Sequence, residues 1–161
     1  MGGTGGEPPR LRVDAGLVLL YAFDEGSGSV VADQSGELPT HDLTIADPGN
    51  VAWSANHLTV NAATALSTAG AATKVATRAK ASGELTIEAW IKPANTTQSG
   101  PARVITMSAD PYYRNFLLGQ DTDTYRVRFR ADGEQGWANG MPEVISAAGT
   151  ATAALTHVVH T

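Results

Sequence analysis

The stretch LTIEAWIKP, residues 85–93, decides the fold. Leu85, Ile87, Ala89 and Ile91 fall on one side of an extended chain, and Thr86, Glu88, Trp90 and Lys92 on the other. This is a period of two, which belongs to strands and not to helices. Pro93 then removes a ladder donor and ends the run. One face must be core, and the other meets solvent or a ligand.

The same alternation recurs outward from there. In TYRVRFRA (124–131), Tyr125, Val127, Phe129 and Ala131 are expected to face inward and Arg126, Arg128 and Arg130 outward, which fixes the register firmly. RVITMS (103–108) and NFLLGQ (115–120) are expected to pair through a loop carrying Asp110, Pro111 and two tyrosines, with QDTD (120–123) turning the chain into the next strand. ALTHVVHT (154–161) sets Leu155, His157 and Val159 against Thr156, Val158 and His160. GLVLLYAFDE (16–25) is apolar on both sides from Leu17 to Phe23 and predicts a central strand closed by EGSGS. The Ala- and Thr-rich stretch from Ala62 to Ala81 is expected to be a loop with one short strand, against the alternative of a helical turn around ATKVATRAKA. The fold class expected is all-β and antiparallel.

With 161 residues and 42% apolar side chains, the chain can bury a core. The glycine- and proline-rich residues 1–10 are expected to be a flexible linker and residues 11–161 the domain. A formal charge of −5 argues against nucleic acid as a general partner. No apolar run is long enough for membrane insertion as a helix, and the opening MGGTGGEPPR is no signal peptide. Cysteine is absent, which excludes disulfides, thiolate metal cages and thiol nucleophiles.

No catalytic residues are expected. Glu84 and Glu88 share a strand face, but Thr86 lies between them, a poor match to the carboxylate pair of a retaining glycosidase. His41, His57, His157 and His160 show no zinc spacing, and His157 and His160 point to opposite faces. Trp90 is the best candidate for sugar stacking, because an indole beside Glu88 and Lys92 suits the apolar face and hydroxyl rim of a pyranose. The competing reading is a packing position beneath a loop. Trp53 and Trp137 are expected in loops. Arg126, Arg128 and Arg130 form a stripe suited to acidic glycans, or else a solvated strand face. Asp121 and Asp123 offer hard oxygen ligands, or else plain turn residues.

Gly16 to Val18, Tyr21, Phe23 to Gly28, Asp33 with Ser35 and Gly36, the Ala89, Trp90, Lys92, Pro93 piece, and LTHVVHT occur in an order that resembles the laminin G-like domains of the concanavalin A-like lectin and glucanase superfamily. The resemblance implies an antiparallel two-sheet jelly-roll sandwich. It also implies further strands after the Thr-His-Val-Val piece, so the sandwich is expected to be incomplete at its C-terminus. The edge beside Leu17 to Phe23 is then expected to drive self-association, leaving residues 1–161 insoluble or oligomeric. Many members of the superfamily hold a structural calcium, which in the complete domain would draw on Asp24 and its neighbours. The implied function is a non-catalytic module of a larger exported bacterial protein, extracellular or at the cell surface, that binds a glycan or an extracellular protein surface. A structural spacer and a glycoside hydrolase fragment are the alternatives.

Overall fold

A computed structural model describes residues 15–130, 138–141 and 143–161. The linker over residues 1–10, the domain start near Leu11 and Trp137 therefore lie outside the described residues. The chain forms two compact units that divide between Ser82 and Gly83. Both are built from antiparallel strands, as the period-two pattern requires.

In the first unit, β1 (Val30–Val31), β2 (Leu43–Ile45) and β5 (Leu66–Thr68) make a three-stranded sheet in the order β1-β2-β5, and β3 (Val51–Ser54) with β4 (His57–Val60) makes a hairpin. Asn56 closes that hairpin at a φ of 61°, a conformation its short polar side chain tolerates. Trp53 is a strand residue and not a loop residue, and its indole N–H donates to the Gly28 carbonyl at 3.0 Å, tying down the EGSGS turn. Among the described residues Val31, Ile45 and Val75 are the buried apolar residues of this unit.

Two expectations fail here. Leu17 to Phe23 is not a strand and carries no ladder. Among the described residues its backbone is held at Leu20, whose N–H donates to Asp33 Oδ1 at 3.3 Å and whose carbonyl accepts Gln34 N–H at 2.8 Å. Apolar character favours burial, but a strand also needs a neighbour in register. The Ala- and Thr-rich stretch holds the one short strand expected, β5, but Thr73–Ser82 is a helix, α1, not a loop. Alanine costs little in a helix. Two cations one turn apart anchor it from outside: Lys74 pairs with Asp33 at 2.6 Å and Arg78 with Glu37 at 2.5 Å.

Asp33 is the hub of this unit. Its carboxylate takes the Lys74 ammonium and the backbone N–H groups of Leu20, Ser35 and His41. Burial alone would push its carboxyl up, but the Lys74, Ser35 and His41 donors outweigh it and hold the group well below the usual carboxylate range. Nearby, the Tyr21 hydroxyl donates to the His41 carbonyl at 2.6 Å. Burial, then the charges of Asp33 and Asp42, push its pKa up to about 12.

The second unit contains β6 (Ile87–Ile91), β7 (Ala102–Ser108), β8 (Arg114–Asp121), β9 (Thr124–Phe129), β10 (Glu143–Ile145) and β11 (Thr156–His160). A four-stranded sheet runs β10-β9-β8-β7, and β11 pairs with β6. The β7–β8 and β8–β9 pairings are those the alternation predicts, although Phe129 at the strand end stays 42% exposed. β8 is central and buried on both faces, with Phe116, Leu117 and Leu118 in the core. Gly119 lets β7 approach it: a Cβ there would lie 2.9 Å from the Ala102 carbonyl oxygen and 3.0 Å from Pro101 Cβ. At the end of β8, buried Gln120 donates to the carbonyls of Asn95 and Thr122 and accepts from Gln98.

Candidate binding face

β6 buries Ile87 on one side and turns Glu88, Trp90 and Lys92 to solvent on the other. The register of β11 sets His157 opposite Trp90 and Val159 opposite Glu88. Residues opposite each other on paired strands share a face, so His157 and Val159 join Trp90 there, and alternation adds Leu155. The Trp90 and His157 rings stack, with centroids 4.6 Å apart and planes 15° from parallel. His157 Nε2 lies 2.6 Å from Glu88 Oε1. The imidazole is thus fixed from two sides, by a ring and by a carboxylate. Trp90 is nonetheless 66% exposed, so one indole face is backed by His157 while the other is open to solvent. Leu155 at 61% and Val159 at 48% exposure extend the apolar surface.

Of the residues the sequence singles out, Trp90 and Glu88 are therefore brought together, and His157 is the partner that sequence reasoning missed. Alternation gives its face along β11, but only the register across the strand pair puts it against Trp90. Tyr112 and Tyr113, the two tyrosines of the loop between β7 and β8, are exposed. Asp110 Oδ1 accepts both of their backbone N–H groups and so fixes their loop.

The arginine stripe lies elsewhere, on the four-stranded sheet, and two of its members are not free. Glu143 sits opposite Arg128 across β10 and β9 and binds Arg126 at 2.6 Å and Arg128 at 2.9 Å, while Asp121 takes Arg126 at 2.8 Å. Arg130 is exposed. Replacing Glu143 by Ala should release Arg128 and leave Arg126 with Asp121 alone, so the variant should be retained on heparin at low salt and elute as ionic strength rises, with wild type passing through. Equal elution of the two proteins would show that the arginines are not masked.

The candidate calcium ligands are each engaged by a donor of the protein itself. Asp121 spends Oδ1 on the Gly100 N–H and Oδ2 on Arg126, Asp123 accepts the Gly149 N–H, and Asp24 accepts the Gln34 amide. Among the described residues no three His, Asp or Glu side chains gather into a cation site. A groove of about 280 Å³ runs between β11 and the four-stranded sheet, where Tyr125, Val127 and Val144 face Thr156, Val158 and His160. Its walls are mostly apolar and hold no carboxylate.

A laminin G family model matches residues 65–161, which include β6, β11 and the four-stranded sheet. The chain belongs to the concanavalin A-like lectin/glucanases superfamily. Searches of curated proteins and of solved structures each found no match. The fold class of this superfamily member is the antiparallel all-β jelly-roll sandwich, consistent with the strand-rich sheets described above. Laminin G-like domains are in general non-catalytic, and the superfamily supports a carbohydrate- or protein-binding module. In this laminin G-like chain the Trp90 face is an exposed aromatic surface backed by a stacked imidazole.

Proposed function

We propose that the chain is a non-catalytic recognition module that holds a neutral saccharide on the Trp90 face, as part of a larger exported bacterial protein. One observation carries this reading: an indole 66% exposed whose ring is held in place by a stacked imidazole. A fixed aromatic plane presents large contact area at little entropic cost, and the C–H face of a pyranose matches it. Glu88 Oε1 is engaged by His157, which leaves Oε2 to accept sugar hydroxyls, and Lys92 stands on the same face to donate. An acceptor-only carboxylate beside the ring favours hydroxyl-rich neutral sugars and repels uronates and sulfates.

A glycan array followed by isotherms on the hits tests this. Trp90→Ala should weaken binding at least about tenfold, the loss expected for an aromatic anchor, with circular dichroism unchanged. An array with no neutral saccharide signal overturns the reading. It would turn attention to Leu155, Trp90 and Val159 as a surface for a protein partner.

A further inference from the structure

We infer that His157 is the positioning residue of this face: it holds the Trp90 ring in its binding pose and couples the hold to pH. The inference rests on the saccharide reading for its ligand, but the hold itself is visible without one. A tryptophan on an exposed strand face, with no neighbour against its ring, is free to change rotamer. Here the ring is matched by an imidazole at 4.6 Å, and that imidazole is itself tied by its Nε2 to Glu88. The chain of restraint runs from Glu88 to His157 to Trp90, across two strands whose register sets His157 opposite Trp90.

The charge state of the imidazole changes both contacts in the same direction. An imidazole exists in a neutral and a protonated form. Once protonated, it meets the Glu88 carboxylate through a charge-assisted hydrogen bond and the indole through a cation–π contact, and each is stronger than its neutral counterpart. Trp90 is therefore held more firmly when the imidazole carries the second proton. The other charged and titratable groups around His157 are Lys92 on β6, His160 on the opposite face of β11, and Tyr125 across the groove. Among the described residues the ring stacked on Trp90 is that of His157, so the response should follow His157.

The test uses the full 161-residue chain and begins without ligand. Tryptophan emission is followed from pH 8 to pH 5.5 in wild type, His157→Gln and Trp90→Phe. A protonated imidazole quenches an indole it touches, so wild-type emission should fall in one step that both variants lack. A flat wild-type profile, or a step that survives in His157→Gln, overturns the inference. Should His157→Gln fail to fold, Trp90→Phe leaves β11 intact and carries the same comparison. Cellohexaose and maltoheptaose, both neutral, then serve as binding probes. Wild-type affinity should be about threefold higher at pH 5.5 than at pH 8, the size expected of an exposed cation–π contact, and His157→Gln should bind more weakly and equally at both pH values. Wild-type binding that is identical at the two pH values overturns the coupling. If neither sugar binds while the emission step appears in wild type alone, the hold on Trp90 is upheld and the saccharide reading falls.

Discussion

Replacing Lys74 by Met should lower the unfolding free energy of the first unit by about 3–5 kcal/mol, the cost of removing one member of a buried ion pair. The Lys74 and Asp33 side chains are 4% and 0% exposed and meet at 2.6 Å. Lys74 also donates to the Glu37 carbonyl at 2.6 Å, so the ammonium closes the 33–37 loop onto α1. Methionine fills similar volume but leaves the Asp33 carboxylate buried with no cation, held only by the Ser35 side chain and backbone N–H donors. The pair also sets an acid limit. Asp33 is held below its ordinary range, so it contributes stability that is fully present above the unfolded-state pKa of about 4. That stability is lost as pH falls toward the folded value. Urea melts from pH 7 down to pH 3 should show wild type losing stability below about pH 4, and Lys74→Met losing less because less remains to lose. Equal urea midpoints for the two proteins at pH 7 would refute the assignment.

Gln120→Leu should cost about 1–3 kcal/mol, because two part-buried carbonyls lose the donor that a buried side chain supplies. Gln120 is 2% exposed, and its amide donates to Asn95 O at 2.9 Å and Thr122 O at 2.8 Å, while its carbonyl oxygen accepts from Gln98 at 2.7 Å. One side chain thus binds the 95–98 segment to the β8–β9 turn. Leucine matches the size and supplies none of the three bonds. Hydrogen exchange should show the amides of Thr97, Gln98 and Thr122 losing protection before those of β8. Unchanged protection there would mean that the segment is held by something else.

The second unit was more legible in sequence than the first, for a physical reason. β6, β8, β9 and β11 are amphipathic or doubly buried strands whose side chains alternate, and alternation is visible in a single strand. Leu17 to Phe23 shows the converse. Its apolar run resembles a central strand, yet pairing depends on a neighbour, and what the structure supplies is Asp33. The helix at Thr73–Ser82 is not legible locally because its anchors, Asp33 and Glu37, lie about 40 residues earlier, at separations that local propensity cannot register. The site divides in the same way. Trp90 and Glu88 stood out as neighbours on one strand, whereas His157 joined them only through cross-strand register. The arginine stripe looked free because Glu143, which neutralises two of its members, sits on another strand.

Glu88 and His157 are 69 residues apart in the chain, yet they meet because β6 and β11 pair in one register. The loops and strands between them can therefore lengthen or shorten without moving the face, provided both strands still arrive. A single-residue deletion inside either strand is a different event. It would rotate every following side chain to the other surface and set Thr156 or Val158 where the imidazole now stands. Across descendants of this sequence, the face should tolerate loop insertions of many lengths and almost no change of length within ten residues of paired strand.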